Sequence, residues 1–361
     1  MSAFPELPSD EAKRLSGLLL AWFDRSHRIL PWRSEPTPYR VWVSEIMLQQ
    51  TRVEAVKPYF ARFLSRLPDV AALAAADEDT LLSLWEGLGY YNRVRNMQRA
   101  AKAVMEQYGG QLPGTAEALS KLPGIGPYTA AAIASIAFGE AVPAVDGNVL
   151  RVLSRLFGIA EDILSARNKK EFTVLDGQLL LPERAGDFNQ AMMELGATVC
   201  LPNGAPLCEK CPFQHDCRAR AEGSVEFLPV RAEKKPRRVE ERTVLLLTTP
   251  NGRFLLRRRP SRGLLAGMWE FPQVEGTLTA AEATAIAERM GFAVLQTEQL
   301  PSASHLFTHI EWQLSGWLLY CKEEVPVQGG VYLSMYDRAG YAIPSAFRVY
   351  TACAEEFSKK I

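Results

Sequence analysis

Apolar residues recur at intervals of three and four in the stretches Leu15–Phe23, Val41–Leu48, Val70–Leu84 and Val94–Val104. That period lines one face of a helix, so each stretch predicts a helix with a core-facing side. Glycines interrupt the pattern at Gly87-Leu88-Gly89 and at Gly109-Gly110, and mark turns. Val149, Val152, Leu153 and Leu156 predict another helix, which Gly158 stops. The first half, up to Ala221, therefore reads as mainly α. After residue 240 the period shortens. Thr243–Thr248 and Arg253–Leu256 read as strands around an Asn251-Gly252 turn, and Leu306–Trp317 alternates like a further strand. Ala280–Met290 reads as a helix. This part predicts a separate α+β domain. Between the halves, the run from Arg231 to Arg238 is charged and proline-bearing, with little to bury. The expected organisation is a helical domain over 1–221, an interdomain linker over 222–240 and a second domain over 241–361. No repeat and no low-complexity tract is visible.

Composition bounds the function without choosing it. A chain of 361 residues is long enough for two domains, and 47% hydrophobic content supplies their cores. The 41 basic and 41 acidic residues cancel, which argues against a nonspecific polycation. Nucleic acid is not excluded, because binding depends on where charge sits. Residues Met1 to Asp10 are acidic and lack an apolar core, unlike a signal peptide. Tyr128–Phe138 is the longest small-apolar stretch and is too short to span a bilayer. A cytoplasmic location is expected, and its reducing conditions favour metal over disulfides for a cysteine group.

Such a group exists. Cys200, Cys208, Cys211 and Cys217 follow the spacing C-x7-C-x2-C-x5-C, in a chain with only two other cysteines. A run of this kind holds an iron–sulfur cluster or a zinc ion. Upstream, Leu122–Ala130 reads Leu-Pro-Gly-Ile-Gly-Pro-Tyr-Thr-Ala. Gly124 and Gly126 let the backbone approach closely, and the amides opening the next helix carry partial positive charge. This helix-hairpin-helix signature grips a phosphate; the plainer alternative is a tight turn between packed helices. A backbone grip reads no base sequence.

Two carboxylates stand out. On a helix, Glu45 shares a face with Val41 and Leu48. Desolvation there raises a carboxyl pKa, as a general acid near neutrality requires. It is otherwise an edge glutamate that reaches water or pairs with an arginine. Asp146 lies in Pro143-Ala-Val-Asp-Gly-Asn-Val149, where an apolar stretch turns into a helix. It is either an N-cap or the second acid of a glycosidic pair, which supports a cationic sugar.

These strings coincide with a family. The chain resembles the adenine DNA glycosylases of the MutY type, within the endonuclease III superfamily. The resemblance rests on Leu30-Pro-Trp-Arg33, Val43-Ser-Glu-Ile-Met-Leu-Gln-Gln-Thr51, Gly87-Leu-Gly-Tyr-Tyr-Asn-Arg-Val-Arg-Asn96, Leu122–Ala130, Val145-Asp-Gly-Asn-Val149, Phe188-Asn-Gln-Ala-Met-Met-Glu-Leu-Gly196 and the cysteines. It covers nearly the whole chain, more loosely after residue 240. It implies a helix-hairpin-helix glycosylase fold, with a six-helix lobe and an iron–sulfur lobe, followed by a Nudix-like domain. The implied reaction removes adenine mispaired with 8-oxoguanine or guanine in double-stranded DNA, by a monomer at the bacterial nucleoid. Glu45 would protonate the adenine, and Asp146 would stabilise the oxocarbenium ion with Asn148 as an orienting partner. Tyr128 occupies the position where strand-cutting relatives carry a Schiff-base lysine, so purely hydrolytic release of the base is implied.

By the same resemblance Trp32, Arg33, Leu48, Val53 and Glu194 line the adenine pocket, while Gln49, Gln50 and Tyr90 enter the duplex on the opposing-base side. Such a wedge offsets part of the cost of extruding a base. Arg93 and Arg95 fit a backbone-contacting loop or a solvated helix face. Two departures stand out. The family's first cysteine gap usually holds six residues, and here it holds seven; the loop-like Leu201–Leu207 absorbs the extra one, and a 4Fe–4S cluster is still implied. It would fix a loop in which Lys210, Arg218 and Arg220 meet phosphates. The second departure lies in the tip that reads 8-oxoguanine, Phe-Ser-His in the family and Phe307-Thr308-His309 here. After Gly263-Leu-Leu-Ala-Gly-Met-Trp-Glu-Phe-Pro272 the chain lacks the acidic run that holds magnesium in Nudix hydrolases, so this domain is expected to bind rather than hydrolyse.

Overall fold

The computed structural model describes residues 4–232, 236–338 and 340–359. Two compact units emerge, one of Met1–Ala75 with Arg95–Glu233 and the other of Ala76–Val94 with Lys234–Ile361.

The first unit is helical. Its longer helices are Ser9–Ser26, Pro38–Leu48, Val53–Arg66, Arg95 onward to Tyr108, Pro127–Phe138, Gly147–Phe157, Ala166–Leu179 and Ala185–Thr198. The Gly147–Phe157 helix follows the expected pattern: Asp146 caps it, and Gly158 ends it in the left-handed region at φ 65°. Val149, Val152, Leu153 and Leu156 pack with Leu15, Leu19, Phe172 and Phe188 in one core. The stretch Val70–Leu84 departs from the single helix expected. It forms two helices, Val70–Ala75 and Glu78–Trp85. Asp77 causes the break, because its side chain accepts the Thr80 amide at 2.8 Å and starts a new helix.

The second unit is built on a seven-stranded sheet: β1 (Arg238–Thr248), β2 (Phe254–Arg258), β3 (Trp269–Glu270), β4 (Gln273–Glu275), β5 (Val294–Leu306), β6 (Ile310–Cys321) and β7 (Gly330–Leu333). The main path runs β3-β2-β1-β6-β5, with β4 beside β1 and β7 beside β2. β1 and β6 pair in parallel from Arg238↔Ile310 to Thr248↔Tyr320. Alternate residues of β1 serve opposite faces. Val244 and Leu246 join the core beneath the Arg348–Ser358 helix, and Leu245 and Leu247 join the one beneath Ala280–Arg289. A sheet covered on both sides explains the unbroken apolar run.

Two expectations need correction here. The stretch Leu306–Trp317 is not one strand: β5 ends at Leu306, residues 307–309 turn, and β6 begins at Ile310. β5 escaped notice because it is a largely polar edge strand, holding Pro301 and a register shift between Leu300 and Ala303. The segment 222–240 is also only partly linker-like. Arg155 Nε donates to Leu228 O at 2.9 Å and the Ile163 amide donates to Val230 O at 3.1 Å, tying its start to the first unit. Its end, from Arg238, is already β1. Glu233, Lys234 and Lys235 of this segment lie outside the described residues. Among the described residues, no helix is long and apolar enough to cross a membrane.

One buried group opposes stability. Asp176 is fully buried, and neither carboxylate oxygen has a hydrogen-bond partner among the described groups. Burial pushes its pKa up to about 8, helped by the charge of Asp146. The unfolded chain sheds this proton above about pH 4, whereas the folded chain keeps it to about pH 8. Stability therefore falls as pH rises through that window, by roughly 4 kcal/mol at pH 7. Asp176→Asn is expected to raise the unfolding midpoint at pH 7 and to flatten its decline between about pH 4 and 8. Thermal unfolding across that range checks both; a lower midpoint at pH 7 contradicts the assignment.

Candidate active site

Glu45 lies on the Pro38–Leu48 helix and is 7% exposed. Its neighbours on that helix, Trp42, Val43, Ile46 and Met47, are all core residues, so the carboxyl has little water to solvate its charge. Burial pushes its pKa up to about 7. The Tyr128 hydroxyl donates to Glu45 Oε2 at 2.6 Å and pulls the value down, as does the charge of Arg33, while Asp146 pushes it up. A carboxyl poised near neutrality can hold a proton and give it away. Tyr128 enters from the second position of the Pro127–Phe138 helix. Its hydroxyl also lies 3.0 Å from Met193 Sδ.

Asp146 takes up the first of its two alternatives, the N-cap of the Gly147–Phe157 helix. Oδ1 accepts the amides of Asn148 and Val149, each at 2.8 Å, and Oδ2 accepts Asn148 Nδ2 at 2.7 Å. The carboxylate is thus the N-cap and is also held in one orientation. Burial raises its pKa above the usual Asp value, and these three donors oppose the rise. Glu45 and Asp146 feel one another's charge, and Tyr128 feels both. The two carboxyls therefore share one region although distant in sequence.

Behind them stands a residue that sequence reasoning missed. Arg151 is 3% exposed. Its Nη2 donates to Asn148 Oδ1 at 2.9 Å and to Gly196 O at 2.8 Å, and Nε donates to Cys200 O at 2.8 Å. It joins the orienting asparagine to the first cysteine. Arg155, one turn on, donates to Leu201 O at 2.8 Å and lies 3.3 Å from Cys200 Sγ. The signal was two arginines set among the apolar positions of that helix.

The pocket positions divide. Glu194 is 1% exposed and takes a bidentate contact from Arg28, at 2.7 and 2.8 Å, and one from Arg33 at 3.0 Å. Burial pushes its pKa up, but the Arg28 hydrogen bond and the Arg33 charge carry it below the usual value. Arg28 was also not anticipated. Trp32 is buried edge-on to Phe60 at 5.4 Å, while Leu48 and Val53 are half-buried.

The expected DNA-facing residues carry a conformational mark. Gln50 and Tyr90 are non-glycine residues with positive φ, 59° and 48°. Such strain persists where surrounding structure enforces it and concentrates at working sites. Tyr90 belongs to the second unit, where its hydroxyl lies 3.2 Å from Thr308 Oγ1. Gln49 Nε2 lies 3.4 Å from Thr129 Oγ1. Arg93 does not occupy a free loop. It opens the Asn92–Tyr108 helix, donates to Leu88 O and Gly89 O at 2.9 and 3.1 Å, and stacks on Trp85 and Tyr90. It shapes the tyrosine's loop from behind. Arg95 lies on the same helix.

In the hairpin, Gly124 is demanded by the fold, with φ at 77° and Asn96 Cβ 2.4 Å from where a Cβ would sit. Gly126 is not; a Cβ there would meet nothing within 4 Å. It caps the Pro127–Phe138 helix and leaves that N-terminus open.

The four cysteines are free thiols, each half-buried. Cys200, Cys211 and Cys217 pack against the core of the first unit. Burial pushes the Cys211 thiol up to about 12, and the other three thiols push the same way. Among the described residues no three His, Cys, Asp or Glu side chains are grouped to hold one metal ion. Of the basic residues on the cysteine loop, Arg218 pairs with Glu222 at 2.9 Å and Arg220 with Glu209 at 2.7 Å.

Gly196 ties this arrangement to packing. A Cβ there would lie 2.5 Å from Asn148 Cβ. Gly196→Ala is expected to push Asn148 away from Asp146 and cost about 1–3 kcal/mol of stability, measurable by denaturant unfolding. A variant as stable as the parent contradicts the close approach.

Residues 43–175 match the HhH-GPD superfamily base excision DNA repair protein family, and residues 243–352 match the NUDIX domain family. The adenine DNA glycosylase of Homo sapiens is 37% identical, over 94% of this chain and 74% of its own. That of Mus musculus is 39% identical, over 81% and 68%. Among solved structures, a thermostable thymine-DNA glycosylase matches 58% of this chain and 97% of its own, with TM-score 0.54 and 29% identity. A non-covalent endonuclease III–DNA complex matches 60% and 99%, with TM-score 0.51 and 25% identity. The helical fold and the sheet domain are those the sequence implied. The chain belongs to the adenine DNA glycosylase family, and it is a DNA N-glycosylase, a hydrolase of base excision repair.

Proposed function

We propose that this enzyme hydrolyses the N-glycosidic bond of adenine mispaired with 8-oxoguanine or guanine, and leaves an abasic site. The observation that carries the reading is the pair of Glu45 and Asp146, one with its pKa raised by burial to about 7 and the other held in one orientation by three donors. Glu45 gives its proton to the extruded adenine. The C–N bond then breaks toward an oxocarbenium ion, which Asp146 stabilises. Asn148 holds the Asp146 carboxylate at its working angle. Tyr128 keeps Glu45 in place and offers no amine for a Schiff base. Trp32, Arg33, Leu48, Val53 and Glu194 enclose the adenine.

DNA is gripped at Gly124 and Gly126, where the open helix N-terminus suits a phosphate. Gln49, Gln50 and Tyr90 fill the gap left by the extruded base. Phe307, Thr308 and His309 read the opposing base; Thr308 keeps a hydroxyl for hydrogen bonding. Cys200, Cys208, Cys211 and Cys217 fit a 4Fe–4S cluster. Cys200, Cys208 and Cys217 lie close enough to Cys211 for their charges to push its thiol up. Such a cluster would fix the loop and its charge, and the hydrolysis needs no redox step. The enzyme acts as a monomer in the cytoplasm.

Glu45→Gln is expected to bind mispaired DNA normally and to lose about 10²–10⁴-fold in single-turnover base release; turnover near that of the parent excludes the general acid. Assays on A:8-oxoguanine, A:G, A:C and A:T duplexes, with and without alkaline work-up, test base choice and strand cutting together.

The pH profile gives a second test. The acid must be protonated, so base release falls as pH rises through about 7. Tyr128 favours the charged form of Glu45. Tyr128→Phe should therefore move the alkaline limb to higher pH. A limb that stays or moves lower refutes this part of the mechanism.

A further inference from the structure

The 307–309 turn is fixed on two sides by residues outside it. The Phe307 amide donates to Ile310 O at 2.8 Å and closes the turn between β5 and β6. Arg237 Nε donates to Phe307 O at 2.9 Å, and the Arg238 amide donates to His309 O at 3.0 Å. The end of the supposed linker is thus a brace along the turn.

Support from beneath comes from Trp312, which is 1% exposed. The Phe307 ring stands edge-on to it at 4.9 Å. The indole itself is held: Nε1 donates to Glu240 Oε2 at 3.0 Å, and the guanidinium carbons of Arg242 and Arg259 lie 4.9 and 5.7 Å from its ring centroid. A ring so flanked has one orientation available. Only the side chains of Thr308 and His309 are left exposed at the crest.

We infer that Arg237 and Trp312 are positioning residues of the opposing-base reader, which set its discrimination between 8-oxoguanine and guanine without touching either. The inference rests on the reading of the 307–309 turn given above. The two bases differ in few hydrogen-bonding atoms, so telling them apart depends on where one or two donors sit. Hydrogen bonds lose strength steeply when misaligned, and a reader is only as sharp as the shell that holds it.

The test is single-turnover base release by the full chain from A:8-oxoguanine and A:G duplexes, for Arg237→Ala, Arg237→Lys, Trp312→Phe and Thr308→Ala. Arg237 is exposed, so its replacement does not threaten folding. Arg237→Ala and Trp312→Phe are expected to lower the ratio of the two rates about three- to tenfold, the worth of one hydrogen bond. Arg237→Lys, which can still donate to Phe307 O, should recover part of it. If Thr308→Ala lowers the ratio while Arg237→Ala and Trp312→Phe leave it unchanged, the inference fails and the reading of the turn survives. If none of these three changes the ratio, the reading of the turn fails and the inference with it. An equal loss on both duplexes with a lower unfolding midpoint marks a merely structural role and overturns the inference.

Discussion

A buried guanidinium with no carboxylate salt-bridge partner among the described residues ties together the segments around Asn148, Gly196 and Cys200. Arg151 is surrounded by carbonyl and amide oxygens from three places in the chain: Gly147 and Asn148 at a helix start, Gly196 near a helix end, and Cys200 just beyond it. Desolvation pulls its pKa down, and the nearby Cys200 and Asp146 oppose that pull. Removing such a hub leaves several buried acceptors unmet, each costing more than its bond contributed. The helix that carries Asn148, the approach of Gly196 and the first cysteine are therefore set by one side chain.

Two neighbouring carboxyls have different sets of donors. Glu45 has a single hydroxyl donor and an apolar helix face, so its neutral form is favoured. Asp146 has two backbone amides and a side-chain amide, which favour its anion. Burial raises both pKa values, and the three donors to Asp146 oppose the rise there as the Tyr128 hydroxyl opposes it at Glu45. Asp176 gives the contrast. It is fully buried and has no donor among the described residues, and it brings only cost.

Much of this was legible in the sequence because it rests on local signals. Asp146 before Gly147 and Asn148 announces a cap, Gly158 a stop, and the apolar spacing of Val149 to Leu156 a buried face. What escaped depends on contacts between distant segments. Arg28 looks like an ordinary surface arginine until Glu194 is folded against it, and Arg151, though set among apolar residues, shows no partner until Gly196 and Cys200 reach it. β5 carries polar residues and a proline because one of its edges has no neighbour, and period alone cannot recognise that. Asp77 split an expected helix through a side-chain hydrogen bond that competes with the helical pattern. The linker misled for a related reason: Arg237 and Arg238 look solvated, yet their partners sit seventy residues downstream.

The edge position of β5 has a bearing on behaviour in solution. Paired with β6 on one side only, a strand of thirteen residues offers its other edge to a strand from another molecule. Here the register shift at Leu300 and Ala303 interrupts any straight ladder, and Pro301 lacks an amide to offer. Natural sheets guard their borders by such irregularity and polarity. The domain can thus keep an open margin in a crowded cell without becoming a template for aggregation.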